Sequence, residues 1–353
     1  MQRPHSPLRI PVLTLETTSN AGRLVAVVVT FNRLAQLKIT LERLLGVQAD
    51  HLAAVVVVNN ASTDDTAAWL ESQTNTRLNV ITSSKNLGGA GGFEIGMRHA
   101  MEQLSPDWIV VMDDDARPEP ACFVKFHSAP RSSHWGWSAA VYHPCGKICD
   151  MNRPAINPFW HWDVFKSTLT GGRNGFHLSE PEYEAAGSRD IDVASFVGFF
   201  IAAEAVRQIG LPDGKLFIYG DDVLYSLRLR QADGRIAFDP NLRFEHDFST
   251  IEDGEKRFRP LWKCYYHHRN LLMVYRVAAG WFFVPVLLIV IPKWLLKVSN
   301  YTGEKRAFMG LMMRAIWHGL RRHTDVTHPT VVAWSTSVPA KPGDSDASRS
   351  NPK

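Results

Sequence analysis

The feature that most limits how this chain can fold is a rhythm near its start. "RLVAVVVTF", residues 23 to 31, is an unbroken run of mostly β-branched residues; "LAQLKITLERLL" follows with apolar positions at helical spacing, and then comes "LAAVVVV". A run apolar at every position fits a strand buried on both faces, and the helix between two such runs returns the chain to lay down a parallel neighbour. The rhythm repeats, with a helix from Thr66 to about Gln73, a strand around "LNVITSS", a helix after "NLGGAGG" and a strand in "DWIVVM". This alternation predicts a layered α/β/α domain with a mostly parallel central sheet. Ligands of such sheets bind beyond the carboxyl ends of the strands. Here those ends read "TFNR", "NNASTDD", "SSKNLGGAGG" and "DDDARP", and they are expected to converge on one rim.

With 353 residues, 45% of them hydrophobic, the chain can bury a sizeable core in one large domain or two smaller ones. Lys and Arg number 39 against 35 Asp and Glu, so the net charge of +4 carries no general signal for nucleic acid. The four cysteines, Cys122, Cys145, Cys149 and Cys264, form neither a CxxC pair nor a zinc-site spacing, which fits free thiols in a reducing cytoplasm. "MQRPHSPLRIPVLTLETTSN" has no apolar stretch leading to a small-residue cleavage site, so no secretory signal is expected. Residues 1–22 are expected to be a flexible segment and 324–353, ending "VPAKPGDSDASRSNPK", a disordered tail, because both are rich in Pro, Ser and Thr.

Several stretches carry chemistry. "WIVVMDDDARPEP" sets Asp113, Asp114 and Asp115 at the end of an apolar run. Like charges there call for a divalent cation, a basic cluster or a solvated turn. Carboxylates are hard oxygen ligands that suit Mg²⁺ or Mn²⁺, and the alternation of an extended segment turns Asp113 and Asp115 one way and Asp114 the other. "GGAGGF", from Gly88, permits close backbone approach to a phosphate at a helix N-terminus, or equally a tight loop packed on the sheet. Asp221 and Asp222 begin a helical pattern that ends near Gly234, where the dipole favours acids and where one of them could act as a general base. In "FEHDFS", His246 sits at a strand end, as a third metal ligand or a satisfied surface histidine.

Taken in order, "VVVTFNRLAQLKITLERLL", "VVNNASTDDTAAWL", "NLGGAGGFEIGMRHA", "WIVVMDDDARP", "GDDVLYSLRLRQ" and "FEHDFS" resemble the family 2 glycosyltransferases of GT-A fold. The resemblance spans about residues 24 to 250 and is greatest to the bacterial galactofuranosyl- and rhamnosyltransferases. It implies that Asp113 and Asp115 are the outer residues of a DxD motif, touching the nucleotide ribose and a diphosphate-bound Mn²⁺ or Mg²⁺, and that His246 completes the metal set. It places Thr30, Arg33, Asn60, Asn86, Gly88 and Gly89 around the donor nucleotide, with Asn60 where the family commonly has a base-contacting aspartate. It makes Asp222 the catalytic base and Asp221 its neighbour where glutamate is common. Phe159, Trp160 and Trp162 are candidates to stack on an acceptor sugar. Transfer would be a single displacement with inversion, since no carboxylate nucleophile is required.

The last third changes character. "VAAGWFFVPVLLIVIPKWLLKV", residues 277 to 298, has an apolar core of roughly 15 residues broken by Pro285 and Pro292, short of the ~20 that span a bilayer. Around it lie Lys263, Arg269, Arg276, Lys293, Lys297, Lys305, Arg306, Arg314, Arg321 and Arg322, with Glu304 the only acid from 263 to 322. Basic residues interleaved with Trp and Tyr suit an anionic membrane surface, with a buried helix pair, an oligomer interface or a single span as the alternatives.

The expectation is therefore a GT-A domain over 23–255 and a helical, basic and apolar, membrane-associated region over 256–323. The activity expected is metal-dependent, inverting transfer from a nucleotide-diphosphate sugar to a cell-envelope glycan or lipid-linked acceptor at the cytoplasmic membrane face. "NLGGAGGF" and the acid–histidine set favour UDP-galactofuranose over dTDP-rhamnose as donor. A sugar-phosphate nucleotidyltransferase would show a Gly-rich, basic loop after its first strand, and "TFNRLAQ" has none. A non-catalytic membrane adaptor would lose nothing when Asp222 is replaced.

Overall fold

The computed structural model describes residues 21–248 and 257–336. Nearly all of the flexible segment expected over 1–22, and the tail from 337 onward, lie outside the described residues. In chain order the first half runs β1 (Leu24–Thr30), α1 (Leu34–Leu45), β2 (Ala54–Asn59), α2 (Thr66–Glu71), β3 (Leu78–Thr82), α3 (Gly88–Gln103), β4 (Trp108–Asp113), β5 (Ala116–Pro118), α4 (Cys122–Ser128) and β6 (Gly136–Tyr142). Then come α5 (Trp162–Gly171), α6 (Glu180–Tyr183), β7 (Arg189–Ile191), β8 (Phe199–Ala202), α7 (Ala203–Ile209), α8 (Asp221–Gln231) and β9 (Ile236–His246). Four helices close the described chain: α9 (Lys263–Ala279), α10 (Phe283–Leu296), α11 (Lys305–Arg321) and α12 (His328–Thr336).

The strands form one nine-stranded sheet in the order β3-β2-β1-β4-β8-β6-β9-β5, with β7 also paired to β9. The expected parallel order holds across β3-β2-β1-β4. Beyond β4 the sheet is mixed: β8 runs antiparallel to β4 and β6, β9 is parallel to β6, and β5 and β7 are antiparallel to β9. Every residue of β1 and β2 is buried, as an uninterrupted β-branched run requires. Register brings the strand ends level, with Thr30 opposite Asn59, Val29 opposite Asp113 and Asn59 opposite Thr82. The polar ends therefore share one rim.

The glycines of "NLGGAGGFEIG" lie inside α3 instead of preceding it. A Cβ on Gly92 would come 2.4 Å from Val29, and one on Gly96 2.5 Å from Val27, so these two residues let the helix backbone press on the sheet. Burial of that face is worth about 25 cal/mol per Å² of apolar surface.

The C-terminal helices are not a separate appendage. Their apolar core, with Tyr265, Tyr266, Phe308, Leu311 and Met312, takes in Phe217 from the loop before α8. Leu227 of α8 packs with Val274 and Ala278 of α9. Two of the basic residues counted above as membrane-facing are not: Arg269 is fully buried, and Lys263 lies close to Arg33. The tail expected from 324 begins too early, because His328–Thr336 is a helix whose Val331 is completely buried. Val331 packs in the same cluster as Tyr265 and Leu311, and that burial outweighs the segment's weak local helical signal.

Candidate active site

The acid triplet divides by geometry. Asp114 is buried, and its carboxylate accepts a 2.7 Å hydrogen bond from the Thr30 hydroxyl, while its carbonyl accepts one of 2.7 Å from Thr40. It joins the ends of β1 and β4 to α1. Burial pushes its carboxyl up to about 7, against the Thr30 hydrogen bond. Asp113 and Asp115 turn instead toward His246, and one ligand atom from each of the three lies within 4.8 Å of the others. Ala116 pairs with His246 across β5 and β9, and the Asp247 amide donates to the Asp115 carbonyl at 2.9 Å. That short ladder carries the histidine to the acids.

His246 Nε2 lies 3.1 Å from Asp115, and Nδ1 lies 2.8 Å from the Asn152 side-chain oxygen. An amide oxygen only accepts, so Nδ1 carries the hydrogen it gives to Asn152, and Nε2 faces Asp115, to donate to its carboxylate in the metal-free site or to meet a bound cation with its lone pair. Arg33 completes the set, paired with Asp115 and 3.6 Å from Asp114. Burial pushes Asp115 up, but His246 and Arg33 together outweigh it and hold its carboxyl below the usual range. Asp113 is held well above it, by burial and by Asp115 and Asp114, with a smaller addition from Asp221, against the opposing charge of Arg33. A carboxyl kept proton-bound by burial and like charges is one that a divalent cation would ionise. Two carboxylates and an oriented imidazole nitrogen suit Mn²⁺ or Mg²⁺.

Asp221 and Asp222 open α8 behind a tight turn in which Phe217, Tyr219 and Gly220 all take positive φ, at 70°, 68° and 79°. Asp222 accepts from the Val223 amide at 2.7 Å and from the backbone of Phe196. Burial raises both carboxyls above their ordinary range, and the charge of Asp222 adds to the rise at Asp221. The strained turn is held from α9. The Asn270 side-chain amide donates to the carbonyls of Leu216, Ile218 and Tyr219 at 3.0, 2.8 and 2.8 Å, and Arg269 donates to Leu216 at 2.8 Å.

Other residues expected here occupy different positions. The Thr30 side chain is buried and committed to Asp114. Asn60, 2% exposed, spends its amide on bracing the next loop: it donates to Asn86 and to the Gly88 carbonyl at 2.9 Å, and accepts from the Leu87 amide. Asn86 in turn accepts from the Gly88 amide at 2.8 Å. Gly88, at φ +70°, lies so near Phe217 that a Cβ would meet its carbonyl oxygen at 2.0 Å, whereas a Cβ on Gly89 would meet nothing within 4 Å. Phe159 packs against the Leu227, Val274 and Ala278 cluster, which Val223, next to Asp222, also covers. Trp160 is partly exposed, and Trp162 stands out on α5, stacked on Phe165. Sequence reasoning missed Asn152, Asn270 and Lys263. The first two lie in stretches without a chemical pattern, and Lys263 was hidden within a basic run.

This sheet order, with acids at the β4 end and at the head of α8, is the GT-A fold of glycosyltransferases. Residues 25–127 match the model of glycosyl transferase family 2. The chain is 31% identical over 207 residues to galactofuranosyltransferase GlfT1 of Mycolicibacterium smegmatis, which covers 58% of this chain and 64% of that one. Its counterpart in Mycobacterium tuberculosis is 32% identical over the same length, covering 63% of that protein. The chain thus spans just under two thirds of these relatives. Among solved structures, S. aureus TarS 1–349 in complex with UDP-GlcNAc superposes with TM-score 0.51 at 11% identity, covering 86% of this chain and 89% of that one. The mannosyltransferase PcManGT from Pyrobaculum calidifontis, in complex with GDP-Man and Mn²⁺, superposes with TM-score 0.50 at 15% identity, covering 86% and 88%. At such identities the likeness establishes the fold.

Proposed function

We propose that the protein is a metal-dependent, inverting glycosyltransferase that moves a sugar from a nucleotide-diphosphate donor to a glycan or lipid-linked acceptor of the cell envelope. The observation that carries this reading is the gathering of Asp113, Asp115 and His246 within 4.8 Å at the sheet rim, beside an acid pair at the head of α8. Asp113, Asp115 and His246 would hold Mn²⁺ or Mg²⁺, which when bound supplies positive charge to the departing nucleotide diphosphate. Arg33 and Lys263, close to one another at the same rim, add two cations for the diphosphate. Asp222, its carboxylate fixed by backbone amides, takes the proton of the acceptor hydroxyl as that oxygen attacks the anomeric carbon from the face opposite the leaving group. Asp221, its carboxyl pushed up by burial and by Asp222, adds in turn to the rise at Asp113.

Identity of 31–32% to galactofuranosyltransferases over 207 residues favours UDP-galactofuranose as donor. The division proposed is a catalytic unit over residues 23–255 and a helical region from 256 through α12, to residue 336, that docks on the cytoplasmic membrane face. The deciding experiment incubates purified protein and Mn²⁺ or Mg²⁺ with a panel of nucleotide sugars, measuring donor hydrolysis and transfer to a lipid extract. UDP-galactofuranose should be consumed and dTDP-rhamnose spared. Absence of turnover with every donor, together with absence of metal-dependent nucleotide binding, defeats the reading.

A further inference from the structure

Exposed apolar surface among the described residues is concentrated in two segments far apart in sequence. The first is the turn Gly280–Phe282 and α10, where Trp281 is 100% exposed, Leu288 74% and Leu296 73%, and where Trp294 is the one buried residue of the helix. The second is α5, which has no buried residue and presents Trp162 and Leu169 at 64% and 72% exposure. Aromatic rings weld the two together. Phe282 lies 6.3 Å from Phe159 and 6.1 Å from Phe165, and Phe165 stacks on Trp162 at 5.5 Å. A continuous apolar face of this size on a folded chain marks an interaction surface.

Its charges indicate the partner. Lys166 lies over the Trp162 ring at 5.3 Å, and exposed Arg173, Lys293 and Lys297 border the same two segments, against a single exposed acid, Asp163. Amines set around Trp and Leu match an anionic bilayer interface, where headgroups take the charge and acyl chains the rings. By length and composition the stretch Lys263–Asn300 could cross a bilayer, but Gly280 at φ +51° breaks it and α9 is packed in the protein core. The 14 residues of α10, about 21 Å against a ~30 Å hydrocarbon core, therefore fit along the interface better than across it.

We propose that α5 and the 280–297 segment form one bipartite surface that docks on anionic lipid. Trp162 is then a lipid contact and not a platform for an acceptor sugar. The same surface lies near the base: Phe159 touches Phe282, and it packs against the Leu227, Val274 and Ala278 cluster that Val223, next to Asp222, also covers. Resting on the transferase reading above, this means that an acceptor anchored in the bilayer reaches Asp222 past Phe159, from the side of the docked face.

The test is co-sedimentation of the full chain with vesicles of phosphatidylcholine alone or mixed with phosphatidylglycerol, without donor or metal. Wild type should bind the anionic vesicles at low salt and detach as salt rises. Trp162→Ala and Leu169→Glu on α5 should each weaken binding about tenfold, as should Leu288→Glu on α10, with unchanged melting temperatures because all three side chains are exposed. The proposal is overturned if the α5 variants bind like wild type, if wild type stays in the supernatant at low salt, or if lipid-free sedimentation velocity finds a dimer that Leu169→Glu dissolves. Because no sugar transfer is read, failure here leaves the donor assay standing, and failure there leaves this surface standing.

Discussion

At Asp222 and Asp221 burial works against charge, and that has two measurable consequences. A base whose carboxyl is held above the ordinary range keeps its proton to higher pH, so the acid limb of the transfer rate should lie above the value of about 4 typical of a free carboxylate. Asp222→Asn should abolish transfer while leaving donor affinity within about twofold, as read by calorimetry with UDP and Mn²⁺. The stability consequence has the opposite sign to that of a salt-bridged acid. Asp221 binds its proton more tightly folded than unfolded, so the native state loses stability as pH rises from the unfolded carboxyl value through the raised folded one. In metal-free buffer Asp221→Asn should therefore melt higher than wild type at pH 8, and the gap should close below about pH 4. Equal melting temperatures at pH 8 would mean that the carboxylate is solvated. Gly89 offers a cleaner probe of donor contact than its neighbours, since a methyl there meets no protein atom within 4 Å. Gly89→Ala should leave the melting temperature level or slightly raised, yet weaken metal-dependent UDP binding if the diphosphate passes over the start of α3.

At the scale of elements, α3 and α9 do the positioning. The glycine-rich stretch was legible as a close-approach segment, but the approach is mainly to protein: Gly92 and Gly96 to valines of the sheet, Gly88 to the Phe217 carbonyl. Periodicity cannot tell these cases apart, because a backbone that must come near something carries glycine whatever that something is. α9 reads as a helix of mixed polarity, and nothing local shows that Arg269 and Asn270 face inward on the turn that leads into Asp221. Asn270→Leu leaves the carbonyls of Ile218 and Tyr219 without their donor and that of Leu216 without its Asn270 bond, beside Arg269, at a cost of about 2 kcal/mol. It should lower kcat more than it weakens UDP binding, since the turn it releases carries the acid pair and not the metal cluster. A matched loss in both would show that α9 supports the whole rim equally.

At the scale of the molecule, the C-terminal helices and the sheet domain share side chains. Phe217 packs into the helical core, and Val274 and Ala278 cover Leu227 of α8. A chain ended at residue 255 should therefore keep its sheet but lose the order of the 214–222 turn, seen as new protease cleavage there and as lost transfer with retained metal-dependent nucleotide binding. Protection equal to that of the full chain would make the helical region a true appendage.

By itself the sequence determined the alternation of strands and helices and the rim of polar strand ends, and it singled out Asp113, Asp115, His246 and the acid pair as candidates for its chemistry. These follow from side-chain period and short-range composition, which act over a turn or a strand. Only the tertiary structure decided that Asp114 braces Thr30 and Thr40, that Asn152 orients His246 from 94 residues away, and that Asn60 serves its own loop. It also decided that Asn270 holds the turn before the acids and that Phe282 joins α5 to α10. Each of those contacts pairs residues that no local pattern links. They form because burying the two segments together satisfies polar groups, or covers apolar ones, that neither segment could satisfy or cover alone.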